Sequence, residues 1–295
     1  MKKRNSNIEL LRILAMLMII SLHYMNQGGI LESINIGDNN YFFVWFVESI
    51  CYVSVNCYVL ISGYFLCDSE TVKYRKIMEL IAETVFYSVG IYLIFCVIGI
   101  EIFNIKTLIT GYLFPIIKGE YWFITVYVVL LLAVPYINVL LKNLEKIQFR
   151  KLIILFGCVL SLIPSLFFFA GNSVGVNGGY SLIWFIYLYL IAAYIKMYAV
   201  FIKVGLLVGA VMILSLIPFV VKISQQLISG DELWNLYSYN SITVLLASVS
   251  LFLLFIQREK RYFRLWNVIG KTTFGVFLIH TQYILRDKIL WNVLV

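Results

Sequence analysis

Residues 8–27 read IELLRILAMLMIISLHYMNQ, an apolar stretch long enough to cross a bilayer as a helix. Similar stretches recur along the 295-residue chain, which is 62% hydrophobic and only 13% charged. A water-soluble domain of this length would carry about 25% charged residues. Because the apolar runs are continuous rather than alternating, they favour membrane-spanning helices over a transmembrane barrel.

The pattern predicts an all-α fold, a polytopic transmembrane helical bundle with nine complete spans. The predicted spans are 8–27, 41–65, 77–100, 121–141, 152–170, 181–196, 203–221, 238–256 and 267–285. A partial tenth span is predicted over 289–295, where seven residues cannot cross a bilayer. We therefore expect one integral membrane domain over 1–295, truncated at its C-terminal end.

Charge is distributed unevenly between the predicted loops. With the N-terminus in the cytoplasm, alternating spans place 18 of the 23 Lys and Arg residues on the inner side and 5 on the outer side. Cytoplasmic loops of membrane proteins carry such an excess, which supports this orientation. The same excess accounts for the net charge of +8 without a nucleic-acid partner.

The first apolar stretch is interpreted as a retained helix and not as a signal peptide, because it contains Arg12 and His23 and has no small-residue cleavage site. Ser6 and Glu9 have the spacing of a capping box, in which each side chain satisfies a backbone donor of the other. A catalytic carboxylate is the other interpretation of Glu9.

Five cysteines lie in or at the ends of apolar runs, which predicts packing residues and not a disulfide framework. None has metal-ligand spacing with a histidine, and the chain has no HExxH, P-loop or nucleophile-elbow motif. The sequence therefore predicts no metal site.

Two histidines, His23 and His280, fall inside predicted spans, where ionisable groups are costly and usually functional. Arg12 precedes His23 by eleven residues, close to three helical turns, so both project from one face about 16 Å apart. A guanidinium keeps its charge, so Arg12 must pair with another group, snorkel to the interface or hold an anion. Each histidine is either a neutral group hydrogen-bonded between helices or a proton-handling group.

The spacing of Arg12 and His23, with ten residues between them, resembles the first helix of the membrane-bound acyltransferase 3 family. Four further stretches resemble this family in the same order along the chain. They are 55–65 (VNCYVLISGYF), the basic cluster 73–76 (KYRK), 121–127 (YWFITVY) and 274–280 (FGVFLIH).

The resemblance implies transfer of an acyl group, usually acetyl, from a cytoplasmic coenzyme A thioester to a hydroxyl of an envelope or exported glycan. It also implies an integral protein of a bacterial cytoplasmic membrane, with the bilayer and a glycan or lipid-linked glycan as partners. The family's basic cluster usually has two arginines, whereas this chain has Lys73 and Lys76 at those positions with Arg75 between them. Lysine lacks the bidentate fork of arginine.

Four basic residues are expected to bind the polyanionic donor, acetyl-CoA or another acyl-CoA: Arg12, Lys73, Arg75 and Lys76. The last three also suit a role as topology anchors. Glu79 and Glu83 lie one helical turn apart near the inner end of the third span and are expected to pair with Lys76 or to flank the donor site.

His23 is predicted to act as a general base on the acceptor hydroxyl or as a transient acyl carrier. Glu48, within the second span, is the predicted catalytic partner, and its alternative is a buried carboxyl that pairs with any neighbouring donor. Trp122 and His280 are predicted to contact the acceptor substrate, although an interfacial aromatic belt is the ordinary interpretation of Trp122.

The alternative function is a transporter or flippase of glycan intermediates, because intramembrane Arg, His and Glu also suit a translocation pathway. A transporter should show two related halves and broken midplane helices, and neither is evident in the sequence. A glycan polymerase would need a large outer loop, whereas the predicted outer loops are short.

Overall fold

The computed structural model describes residues 5–117, 119–167, 174–228, 230 and 234–287. Within these ranges the chain forms helices and turns and contains no strand, which confirms the all-α prediction. Six helical segments are long and apolar enough to cross a bilayer: Ser6–Gln27, Tyr41–Leu66, Tyr74–Val97, Trp122–Lys142, Lys146–Leu166 and Val204–Ile228. The protein is therefore a polytopic helical membrane protein.

The helices are, in chain order, α1 (Ser6–Gln27), α2 (Ile30–Ser33), α3 (Tyr41–Cys51), α4 (Val53–Leu66), α5 (Tyr74–Val97), α6 (Ile105–Thr107), α7 (Trp122–Lys142), α8 (Lys146–Gly157), α9 (Ile163–Leu166), α10 (Leu182–Met197), α11 (Val204–Ile228), α12 (Ile242–Ile256), α13 (Arg264–Thr281) and α14 (Tyr283–Leu285). A π-helical turn, Leu108–Leu113, follows α6, and another, Cys158–Leu162, joins α8 to α9. A short 3-10 turn, Asn177–Gly179, precedes α10.

The count of nine spans is not established. Helices α10 and α12 are apolar but only 16 and 15 residues long, and α13 is not among the six spanning segments. The predicted partial tenth span over 289–295 lies outside the described residues.

Helix α11 continues past its predicted end at residue 221. Lys222 would ordinarily mark the membrane boundary, but it is buried and its ammonium lies 4.2 Å from the centroid of the Trp45 ring. A cation–π contact accommodates the charge inside the bundle, so the helix continues to Ile228. Part of the predicted outer loop 222–237 is therefore helical.

Helix α13 ends earlier than predicted, at Thr281 instead of residue 285. Gln282 is extended (φ −63°, ψ 125°), and its side chain accepts a hydrogen bond from Leu285 N at 2.9 Å. This cap starts the short helix α14 in a new direction.

The predicted capping box at the start of α1 is wrong. Asn5 is the N-cap, and its side chain accepts a hydrogen bond from Asn7 N. Ser6 instead contacts the loop before α13, where its Oγ accepts from Phe263 N at 2.6 Å. Glu9 pairs with Arg12. Tertiary contacts thus take both side chains away from the local motif.

A buried hydrogen-bond network joins the centre of the bundle. Asn56 on α4 is fully buried and accepts from Trp184 Nε1 on α10 at 3.0 Å. Its amide donates to the Tyr239 carbonyl before α12 at 2.8 Å. Inside a membrane such polar contacts hold helices together, because apolar side chains gain little by leaving lipid. The five cysteines are free thiols, as predicted.

The two ends of the bundle differ in chemistry. At one end two salt bridges join different helices and loops: Lys142 Nζ is 2.6 Å from Glu70 Oε1, and Lys196 pairs with Asp68. Helices α1 and α13 begin at this end, which we call the basic face. His23 lies toward the other end, which we call the opposite face.

Gly63 is a point of close approach between α4 and α10. A Cβ there would lie 3.0 Å from both Ala192 Cβ and Tyr189 Cα. We expect Gly63→Ala to destabilise the protein by about 1–3 kcal/mol through overpacking. Gly90→Ala on α5 is the matched control, because a Cβ there meets no atom within 4 Å and helix propensity favours alanine by about 1 kcal/mol. Thermal unfolding in detergent should move the two midpoints in opposite directions, and equal shifts would contradict the prediction.

Candidate active site

Two histidines from distant parts of the chain meet inside the bundle. His23 Nδ1 on α1 lies 3.0 Å from His280 Nε2 on α13, and the ring centroids are 5.0 Å apart. Helix α13 lies directly along α1, so the contact joins two long helices. His280 is buried, and His23 is half-buried. The sequence predicted both residues as functional but not their contact.

The partners of His280 define the protonation of both rings. His280 Nδ1 is 2.7 Å from the Val276 carbonyl oxygen, which can only accept, so Nδ1 carries the proton. With the ring neutral, His280 Nε2 is an acceptor, and the proton between the rings belongs to His23 Nδ1. Neutral His23 is then unprotonated at Nε2. This arrangement gives His23 a nitrogen that can accept a proton.

A small cavity of about 70 Å³ lies beside His23. Apolar and aromatic side chains surround it, including Met16, Ile19, Tyr58, Trp122, Phe274 and Phe277. Met16, Ile19 and His23 follow one face of α1, so the cavity extends from His23 toward the basic face. Tyr58 donates a hydrogen bond from its hydroxyl to the Arg12 carbonyl at 2.7 Å. Tyr58 therefore links the wall of the cavity to the backbone of Arg12.

Arg12 lies at the basic-face end of this stripe. Its Nη1 is 2.7 Å from Glu9 Oε1, and its side chain retains 27% exposure. Glu9 is buried against Gly270 on α13, where any Cβ would collide with the Glu9 carboxylate. A glycine at this position thus allows α13 to approach the Arg12–Glu9 pair.

Glu48 is buried near the opposite face but does not hydrogen-bond to His23. Its Oε1 accepts from Asn26 Nδ2 at 2.6 Å, and Asn26 lies one turn after His23 on α1. Glu48 Oε2 is buried with no hydrogen-bond partner in the described part of the chain. The structure therefore gives His23 a histidine as its direct partner and leaves Glu48 one turn away.

The basic cluster near the start of α5 is exposed. Arg75 is almost fully exposed, and its Nε lies 2.9 Å from Glu79 Oε1. Lys73 and Lys76 border a narrow crevice of about 20 Å³ with Leu66. Glu79 therefore pairs with Arg75. The sequence had indicated Lys76 as its possible partner.

Trp122 lies inside an aromatic cluster. Its ring centroid is 4.5 Å from that of Tyr180 and 6.3 Å from that of Tyr239, and the planes of the latter pair are 25° apart. The Trp122 side chain also borders the His23 cavity. Trp122 therefore packs against aromatic residues of the bundle, and its contact with substrate stays a prediction.

Sequence reasoning missed several residues of this site. Tyr58 and Tyr239 border the cavity, Asn26 holds Glu48, and Gly270 accommodates Glu9. Tyr58 falls within a stretch that resembles the acyltransferase family, and this was the available signal. Nothing in the local sequence distinguishes Asn26 or Gly270, because their roles depend on neighbouring helices.

Bilayer-length helices that bring two histidines into contact define a polytopic membrane protein. The family model Acyl_transf_3, described as an acyltransferase domain, matches residues 5–291, so the chain belongs to this family and is a membrane acyltransferase. This match confirms the resemblance and gives no support to a transporter. Comparisons with curated proteins and with solved structures found no match.

Proposed function

We propose that this protein is an O-acyltransferase that moves an acetyl group from acetyl-CoA to a hydroxyl of a cell-envelope or exported polysaccharide or its lipid-linked precursor. The observation that carries the proposal is the His23–His280 pair, which leaves His23 Nε2 able to accept a proton beside a cavity that extends toward Arg12. Acyl transfer to an alcohol needs such a base.

In the proposed reaction His23 Nε2 takes the proton of the acceptor hydroxyl. At the same time the hydroxyl oxygen bonds to the carbonyl carbon of the thioester. The carbon–sulfur bond then breaks, and the coenzyme A thiolate takes the proton from His23. Glu48 acts as a catalytic carboxylate, since its Oε2 has no hydrogen-bond partner in the described residues and can accept one from the acceptor. Trp122 and His280 form the walls against which the acceptor lies.

The donor enters from the basic face in this proposal. Coenzyme A carries several phosphate charges, and Arg12 with the cluster Lys73–Lys76 supplies basic groups at that face. The narrow apolar cavity suits a thin pantetheine arm that extends toward His23. No metal takes part in this scheme.

The basic face is cytoplasmic in this proposal, and the membrane is the bacterial cytoplasmic membrane. The excess of Lys and Arg at that face supports this orientation. The lipid bilayer then surrounds the helices. The donor approaches from the cytoplasmic side of the membrane and the acceptor from the other side.

A direct test uses the full chain reconstituted in lipid vesicles with radiolabelled acetyl-CoA. We expect thiol release together with alkali-labile acetyl esters on added glycan extracted from a bacterial envelope. Longer acyl-CoA donors establish whether acetyl is preferred. Glycan movement across the vesicle membrane without thioester cleavage would contradict the proposal.

Arg12→Lys tests the donor site without leaving Glu9 unpaired. Lysine keeps the positive charge beside Glu9 but loses the guanidinium fork. We expect the KM for acetyl-CoA to rise about tenfold, which corresponds to one charge-assisted hydrogen bond. Arg258→Lys is the matched control, because Arg258 borders a different cavity with Asn7 and Leu10, on the side of α1 turned away from His23. Equal effects of the two substitutions would remove Arg12 from the donor site.

A further inference from the structure

A second, larger cavity lies just beyond the histidine pair at the opposite face. Its volume is about 540 Å³. One wall comes from the chain between α5 and α7, including Thr107, Thr110, Tyr112 and Glu120. The other wall comes from Tyr283 and Arg286, which follow α13 after the turn at Gln282.

This cavity adjoins the reaction centre from the side opposite to the donor. Tyr283 lies three residues after His280, and Glu120 lies two residues before Trp122, which borders the His23 cavity. Arg286 lies near His23, and its guanidinium pairs with Asp287 at 2.6 Å. A ligand in the larger cavity would therefore have one end near His23.

We propose that this cavity is the acceptor site and that it binds a sugar unit through its hydroxyl groups, an inference that rests on the proposed acyltransferase function. Hydroxyl side chains dominate the walls, with one carboxylate and one guanidinium. This set can both donate and accept hydrogen bonds, as a polyhydroxylated ligand requires. The mixed charge does not suit the phosphates of coenzyme A, which need clustered cations.

The walls hold their polar groups in fixed positions. The Tyr112 ring is stacked on Tyr92 with centroids 4.5 Å apart and planes 18° apart. Tyr92 in turn is fixed by a hydrogen bond from Asn104 N at 2.9 Å. Burial, followed by the nearby carboxylates, raises the pKa of the Tyr112 phenol, so its hydroxyl remains a donor. Tyr283 presents a half-exposed ring to the same space, as sugar rings require for stacking.

Gly111 borders this cavity and has space for a Cβ. It lies in the π-helical turn Leu108–Leu113, a kind of turn found frequently at functional sites. A Cβ at Gly111 would meet only Thr107 Cγ2, at 4.0 Å, so the side chain of Gly111→Val would occupy the cavity. Gly90→Val is the matched control, because Gly90 borders a separate apolar groove and a Cβ there also has space.

The experiment measures thiol release from acetyl-CoA by the full chain in detergent. Glucose, N-acetylglucosamine and a maltooligosaccharide serve as sugar probes, and 1-octanol serves as an apolar alcohol. We expect a sugar probe to stimulate release more than octanol does. Gly111→Val and Glu120→Gln should raise the KM for that sugar about tenfold or more, with a smaller effect on kcat, and Gly90→Val should leave it unchanged.

Several results would overturn the proposal. The first is stimulation by octanol equal to that by the sugars, and the second is no stimulation by any sugar. The third is a sugar KM in both cavity variants that equals that of the wild type. If thiol release still depended on His23 in these cases, only the acceptor site would be overturned, and the proposed acyltransferase function would stand. Absence of thiol release from the wild-type protein under all conditions would instead overturn the proposed function, and the acceptor site with it.

Discussion

His23→Ala is expected to lower the rate of acyl transfer by about 10²- to 10⁴-fold, the usual contribution of a positioned general base. In the wild type, the hydrogen bond to His280 directs the proton of His23 to Nδ1 and leaves Nε2 unprotonated. The chain contains only one other histidine, His280. The measurement is sugar-dependent thiol release from acetyl-CoA.

Folding must be separated from catalysis in this experiment. The change removes one hydrogen bond, worth about 1 kcal/mol, so the protein should remain folded. Leu17→Ala is the matched control, because Leu17 is exposed and projects from the other side of α1. His23→Gln gives a second variant that can still donate to His280 but cannot act as the base. Wild-type rates in both His23 variants would exclude His23 as the base.

His280→Ala is expected to lower kcat at least about tenfold by removing the group that orients His23. Loss of a residue that sets a catalytic histidine's tautomer is costly in other enzymes, as in serine proteases. His280→Gln should recover part of the loss, because its amide oxygen can still accept from His23 Nδ1. The KM for acetyl-CoA should change little, since Arg12 lies about 16 Å away along α1.

Two measurements distinguish this positioning role from a purely structural one. Nitrogen-15 NMR of labelled histidine should show the Nδ1-protonated tautomer of His23 in the wild type and its loss in His280→Ala. The second measurement compares the changes in kcat and in the KM for the acceptor. A raised acceptor KM with unchanged kcat would instead assign His280 to acceptor binding alone, and an unchanged tautomer would contradict the positioning role.

The stripe formed by Arg12 and His23 could be predicted from the sequence, because helical spacing alone puts both residues on one face. The family and the all-α membrane fold could also be predicted, and both are confirmed. These features depend on residues that are close in sequence or on composition, for which local rules are sufficient.

Other predictions failed where a distant helix competed with a local rule. Ser6 contacts Phe263 instead of completing a cap, and Lys222 lies over Trp45 instead of ending α11. Glu48 accepts from Asn26 and has no hydrogen bond to His23 among the described residues, while its catalytic role stays a prediction. Each outcome depends on a partner far along the chain, which spacing cannot identify.

The sequence by itself determined a membrane-embedded helical chain with a basic end and a histidine-bearing helix, because length, hydropathy and charge act locally and additively. The tertiary structure decided that His280 faces His23 across 257 residues of sequence, with Val276 directing the proton. It also decided that a polar cavity lies beyond the pair. These features depend on helix packing. The faces that come into contact are determined by the close fit of whole helices and not by any one segment.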